Sequence, residues 1–148
     1  MLNLLFVIGI LCMVHEWALA ESIVRAVLDI VRERKLKAVL EVKIAVGQLQ
    51  QIEVDIFRDA LKEISEGTIL KETRFSIEEE EAKFKCRNCG YIWKFNEIKR
   101  SIKEDDAEAI HFIPELAHAI IRCPRCGSPD FIVVRGRGVR IVSLRGIT

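Results

Sequence analysis

Neither sign of charge dominates this chain. Lys and Arg number 23 against 22 Asp and Glu, which argues against a general nucleic-acid binder, whose affinity comes from clustered cations neutralising phosphates. No apolar run is long enough to cross a membrane. The longest, residues 1–12 (MLNLLFVIGILC), falls short of the roughly 20 residues a bilayer needs. It also lacks a basic n-region and a small-residue cleavage site, so it does not read as a signal peptide. Two readings stand: an upstream start codon taken in error, with translation beginning at Met13, or a genuine apolar appendage. The first fits better a segment without targeting logic. Phosphate-binding loops, internal repeats and low-complexity linkers are absent. Histidine is scarce, at His15, His111 and His118, and cysteine occurs five times. So few cysteines, four of them in tight pairs, exclude a disulfide framework and suit a reducing cytoplasm.

What the chain does have is one device used twice. Cys86-Arg87-Asn88-Cys89-Gly90 and Cys123-Pro124-Arg125-Cys126-Gly127 share a two-residue spacer that points both thiolates of a pair at one ion. The glycine after each second cysteine permits the positive φ that closes the turn. Cys86, Cys89, Cys123 and Cys126 together saturate a tetrahedral zinc and leave no position for water, so the expected site is structural. Iron accepts the same four sulfurs, as in rubredoxin-like electron carriers. The colour of the purified protein separates the two.

Period supplies the rest. Ala20, Ile23, Val24, Val27, Leu28 and Val31 recur at three- and four-residue steps, predicting an amphipathic helix over 16–34. Alternation over 37–46 predicts a strand ended by Gly47. A second helix is expected over 54–65, stopped by Gly67 as a left-handed cap, then a strand over 74–84 whose Glu78–Glu81 run stays in solvent. Between the knuckles lies a charged stretch, then Pro114 placed to open a short helix through Ile121. The runs 131–135 and 139–144, around a Gly136/Gly138 turn, complete the count. The fold class is therefore α+β: a small two-layer α/β domain, two helices on a mostly antiparallel sheet, with an inserted four-cysteine, zinc-ribbon-like domain. The expected boundaries are 13–84 plus 132–148 for the first domain and 85–131 for the second, with 1–12 as an extension.

His15 would follow Met13 closely if translation began there. A free amine, a backbone amide and an imidazole can wrap one ion in fused chelate rings, and planar nitrogen donors favour Ni(II) or Cu(II). Spacing alone equally allows a helix-start histidine with no ligand role. His118 reads as a surface or packing residue.

The segment Met13-Val14-His15-Glu16-Trp17-Ala18-Leu19-Ala20, followed by Ser22-Ile23-Val24, resembles the N-terminus of the HypA family of hydrogenase-maturation nickel chaperones. The resemblance continues through Val46-Gly47-Gln48-Leu49, the two knuckles and the insert Ile110-His111-Phe112-Ile113-Pro114-Glu115, which is similar to archaeal members. It implies zinc on the four cysteines and nickel at the Met-His-Glu terminus, here His15 and Glu16. His111 is the candidate further ligand. It also implies delivery to the large subunit of [NiFe]-hydrogenase with a HypB-type GTPase, some members serving urease, with no enzyme activity, nucleic acid or membrane of its own. Whether the chain forms a homo-oligomer stays open.

Two departures stand out: Val14 separates Met13 from His15, and Gln48 replaces a common Glu. If Met13 is removed, Val14 becomes the terminus and His15 the second residue. If Met13 is kept, His15 is third. A chain beginning at Met1 has no free amine near His15.

The alternative class is a zinc-ribbon nucleic-acid module. Its support is the tail arginines Arg135, Arg137, Arg140 and Arg145, whose alternation with apolar residues equally suits the solvent face of a strand.

Overall fold

The structure, a computed structural model, describes residues 4–148, with side chains throughout except at 4–14, 111, 112 and 114. The apolar segment 1–12 thus lies wholly outside the described side chains. No helix of the described residues is long and apolar enough to cross a membrane. The chain divides into two compact units. One holds the chain up to residue 45, Ile52–Glu78 and Arg140–Thr148; the other holds Val46–Gln51 and Glu79–Val139.

In the first unit, α1 (Leu4–Arg34) packs on α2 (Val54–Ser65). The expected α1 row is buried: Ala20, Ile23, Val24, Val27 and Val31 face inward. So do Phe57, Ala60 and Leu61 of α2. Gly67, at φ 75, follows the end of α2 in the left-handed conformation expected of it. The start of α1 differs from expectation, for the helix begins at Leu4 rather than near 16. Residues 4–12 are mostly helix-tolerant apolar types with no proline, so nothing local stops the ladder from running back through them.

A three-stranded sheet has the order β2-β1-β6, formed by Arg74–Glu80, Ala38–Gly47 and Val139–Ile147. Lys37 N donates to Ile147 O and Gly47 N to Gly138 O, both at 2.7 Å, as antiparallel neighbours do. Along β1, Val42 and Ile44 are buried and Leu40 is exposed, so the expected alternation breaks at Leu40.

The second sheet has the order β4-β3-β5, formed by Ile92–Lys94, Lys83–Cys86 and Phe131–Arg135. Both pairings are antiparallel. Here two expectations are corrected. The single strand over 74–84 is two strands in two sheets, because the chain turns at Glu81–Ala82. Ala82 is buried there, and its N–H bonds to Gln48 Oε1 at 3.1 Å. Of the two returning runs, only β6 joins the first sheet. β5 pairs with β3, setting Phe131 opposite Cys86 and Val133 opposite Phe84. The compact units are accordingly drawn at 79 and 139 rather than at 85 and 131.

The charged stretch between the knuckles is not the core-poor insert its composition suggests. It forms α3 (Phe95–Ile98), α4 (Glu104–Phe112) and α5 (Ala117–Ile120), with Pro114 opening a 3₁₀ turn ahead of α5. Glu104, Asp105 and Asp106 occupy the first turn of α4, where the helix dipole favours acids. Ile110, Ala117 and Ile121 join Phe84, Trp93, Phe95 and Phe131 in one core. The aromatic rings meet at 5.5–5.6 Å, Phe84 and Phe131 edge to face, a geometry their quadrupoles favour.

Two glycines let backbone meet backbone in this unit. A Cβ on Gly47 would lie 2.3 Å from Gly136 O, and one on Gly136 would lie 2.2 Å from Ala82 Cα. Gly136 also holds φ at 91°. Gly136→Ala is therefore expected to lower stability by about 2–4 kcal/mol, from overpacking plus a strained φ. The shift of a denaturant midpoint measures it.

Candidate metal centre

Each knuckle is built by the same hydrogen bonds. Gly90 N donates to Cys86 O at 3.0 Å, and Gly127 N to Cys123 O at 2.8 Å. Cys86 N donates to Tyr91 O and Cys123 N to Ser128 O, both at 2.9 Å. Gly90 and Gly127 both adopt φ 73, the left-handed conformation that an L side chain resists. The repeat seen in sequence is thus a repeat in backbone.

The two knuckles bring their sulfurs together. All four Sγ atoms lie within 4.8 Å of one another, with Cys86 and Cys123 buried and Cys89 and Cys126 exposed. Cys86 Sγ stands 3.6 Å from Cys126 Sγ, and Cys89 Sγ 3.7 Å from Cys123 Sγ. A tetrahedron with Zn–S bonds of about 2.3 Å has edges of about 3.8 Å, so the donor set fits a zinc-sized ion with little movement. When bound, such an ion supplies cross-linking and no chemistry. Among the described residues this is the one group of three or more His, Cys, Asp or Glu side chains placed to hold a metal.

The surroundings act on the two exposed sulfurs in opposite directions. Asn88 Nδ2 lies 3.6 Å from Cys126 Sγ. That bond, with the Ser128 backbone N–H, lowers the Cys126 thiol to about 6. At Cys89 the Tyr91 backbone N–H pulls the other way, but desolvation and the adjoining sulfurs of Cys126, Cys123 and Cys86 raise the thiol to about 11. Without metal the cluster therefore keeps protons at neutral pH, and an incoming ion must displace them. Cys89 N also lies 3.5 Å from Cys86 Sγ. Sequence reasoning missed the part played by Asn88, although an amide inside the first Cys pair was a visible signal.

The other expected site residues are not brought to this cluster. His15 is half-buried within α1. Glu16 beside it is completely buried at 0 % exposure, and its Oε1 accepts the Glu53 backbone N–H at 2.9 Å. His111 falls in α4, but its side chain is outside those described. His118 stacks on Phe131 at 4.5 Å, a packing role. Gln48 uses both ends of its amide: Nε2 donates to Asn96 Oδ1 at 2.6 Å, and Oε1 accepts from Ala82 N. A glutamate could only accept, so the departure at this position has a structural use.

The tail arginines have partners of their own. Arg137 pairs with Glu115, Arg145 lies 3.6 Å from Glu41, and Arg135 donates to Glu81 O at 3.4 Å. They do not form a bare cationic stripe.

A four-sulfur knuckle pair in one unit and a two-helix, three-strand arrangement in the other define a two-part α+β protein whose sulfur cluster suits a metal ion. Comparison with known proteins narrows the class. The family model described as hydrogenase/urease nickel incorporation, metallochaperone, HypA matches residues 14–146, and the chain belongs to the HypA family. It is 49% identical over 131 residues to the hydrogenase maturation factor HypA of Pyrococcus horikoshii, covering 88% of this chain and 94% of that one. The HypA of Methanopyrus kandleri is 31% identical over 132 residues, covering 88% and 92%. In fold, the chain is similar to the solution structure of the Ni metallochaperone HypA from Helicobacter pylori. The TM-score is 0.59 at 16% identity, over 89% of this chain and 97% of that one.

Proposed function

We propose that this protein is a nickel metallochaperone for [NiFe]-hydrogenase maturation, working in the cytoplasm and performing no catalysis itself. The carrying observation is the division of donors. The family described by nickel incorporation matches residues 14–146, yet the sulfur cluster is a complete four-donor set. A transported ion therefore needs other ligands. We assign zinc to Cys86, Cys89, Cys123 and Cys126, as the staple of the second unit. Nickel is assigned to the His15 imidazole and its backbone nitrogen, with Glu16 alongside and His111 as the candidate further donor. A HypB-type GTPase and the hydrogenase large subunit are the proposed partners, since the chain has no phosphate-binding loop of its own.

The test is a Ni(II) titration of the native protein and its His15→Ala variant. The variant is expected to lose nickel binding by at least about 100-fold, while keeping one equivalent of zinc and its melting temperature. Unchanged nickel affinity in a folded His15→Ala protein rejects the assignment.

A further inference from the structure

Glu16 is the only charged side chain among the described residues to be completely buried. It does not point toward solvent at the head of the chain. Its Oε1 accepts the N–H of Glu53, the residue just ahead of α2. Glu53 gives α2 no side-chain capping bond, so a carboxylate borrowed from α1 stands at that helix start. Unpaired N–H groups and the positive end of the dipole favour an anion there.

The segment on the other side of Glu53 is also held. Gln51 adopts φ 46 and donates Nε2 to Ala107 O of α4 at 2.9 Å. Leu49 is buried, and Gln48 is tied to Asn96 and Ala82.

We propose that Glu16 is a positioning residue and not a nickel ligand: its carboxylate clamps the Glu53 amide and so holds His15, its neighbour on α1, in fixed register with the start of α2. The proposal rests on the nickel assignment above and changes the role of Glu16 within it. The oxygen that accepts the Glu53 N–H is not offered to an ion while that bond holds. Partners that orient a ligand typically alter metal affinity about 10–100-fold when removed, so the clamp is consequential without touching the ion.

Two variants of the native protein separate the roles. Glu16→Gln keeps an acceptor oxygen for Glu53 N–H and removes the anionic donor. It is expected to bind Ni(II) within about threefold of the unsubstituted protein, with the same ligand-field absorption. Glu16→Ala removes the acceptor. It is expected to weaken nickel binding at least about tenfold and to speed hydrogen exchange at the Glu53 amide, which Glu16→Gln leaves slow. A folded Glu16→Gln protein with altered ligand-field bands or a tenfold loss of nickel would show the carboxylate to be a ligand and overturn the proposal. Unchanged nickel affinity in a folded Glu16→Ala protein would overturn it equally. If Glu16→Ala does not fold, the absorption and Glu53 exchange of Glu16→Gln decide alone. Failure of the unsubstituted protein to take up nickel rejects the functional assignment and this proposal with it, whereas effects confined to the variants reject only the proposal.

Discussion

A form of the protein beginning at Met13 or Val14 is expected to bind Ni(II) about 100-fold more tightly than the 148-residue chain. In the longer form α1 runs unbroken from Leu4, so the amide of His15 belongs to the helix's own hydrogen-bond ladder. Offering that nitrogen to a metal means breaking backbone hydrogen bonds and unwinding at least one turn. At about 1 kcal/mol for each of two or three bonds, the cost approaches 3 kcal/mol, or two decades in affinity. The longer form also sets its terminal amine fourteen residues ahead of His15 in the chain. A chain starting at Met13 or Val14 has that amine, and its first amides are the unpaired ones every helix leaves at its start. Intact mass of the native protein identifies the terminus in use, and competitive titration of both forms measures the difference. Equal, tight binding by both would discard the free-amine scheme. Affinity in the shorter form should fall with acid, because an amine and an imidazole must each be free of a proton to hold a metal.

The second large effect concerns the sulfur cluster. Cys86→Ser is expected to abolish stoichiometric zinc and to destabilise the second unit by about 5 kcal/mol, part of the roughly 10–16 kcal/mol structural zinc supplies to zinc-finger peptides. The loss should be partial rather than total, since Phe84, Trp93, Phe95, Phe131 and Ile110 form a core independent of the ion. Near-ultraviolet circular dichroism from Tyr91 and Trp93 reports this unit, because both rings lie close to the knuckle, stacked 6.3 Å apart. A variant that keeps one zinc and an unaltered aromatic spectrum would show that three sulfurs suffice. In the unsubstituted protein, removal of zinc by a chelator should accelerate as pH falls through about 6. There Cys126, lowered to that value by Asn88 and Ser128, begins to hold a proton of its own. Cys89, raised to about 11, competes for a proton at every pH below that value. Protonation of either sulfur favours the metal-free cluster, but the shifts themselves are opposed. The raised Cys89 value strengthens that competition, and the lowered Cys126 value confines its share to pH below about 6.

Much of the metal centre was legible in the chain because knuckle geometry is local. A two-residue spacer and a following glycine fix the turn within five residues, and the structure repeats the same bonds in both copies. The row of apolar residues on α1 was legible for a related reason, since a period of three to four defines a face without knowledge of what covers it. Legibility failed where a segment's state depends on distant chain. The stretch 74–84 alternates like one strand, and only Gln48 and Gly136 closing on Ala82 explain why it is two. The core of the insert was not legible because Ile110, Ala117 and Ile121 are too far apart to announce a face until the fold brings them together. The acids heading α4 were the signal available.

The sequence by itself therefore determined the four sulfurs that meet in the fold, the α+β class and the family. All of these follow from short-range spacing or from matched residues. Tertiary structure alone decided which returning strand serves which sheet, what Gln48 does with both ends of its amide, and where Glu16 points. The last two depend on pairings across 34 to 48 residues and the first on pairings that reach further, and no local rule says which amide a carboxylate will meet. A Met-His-Glu-like terminus suggests three ligands in a row. The folded chain turns the third inward, because an unpaired N–H at the start of α2 is costly to bury and Glu16 is the group placed to satisfy it.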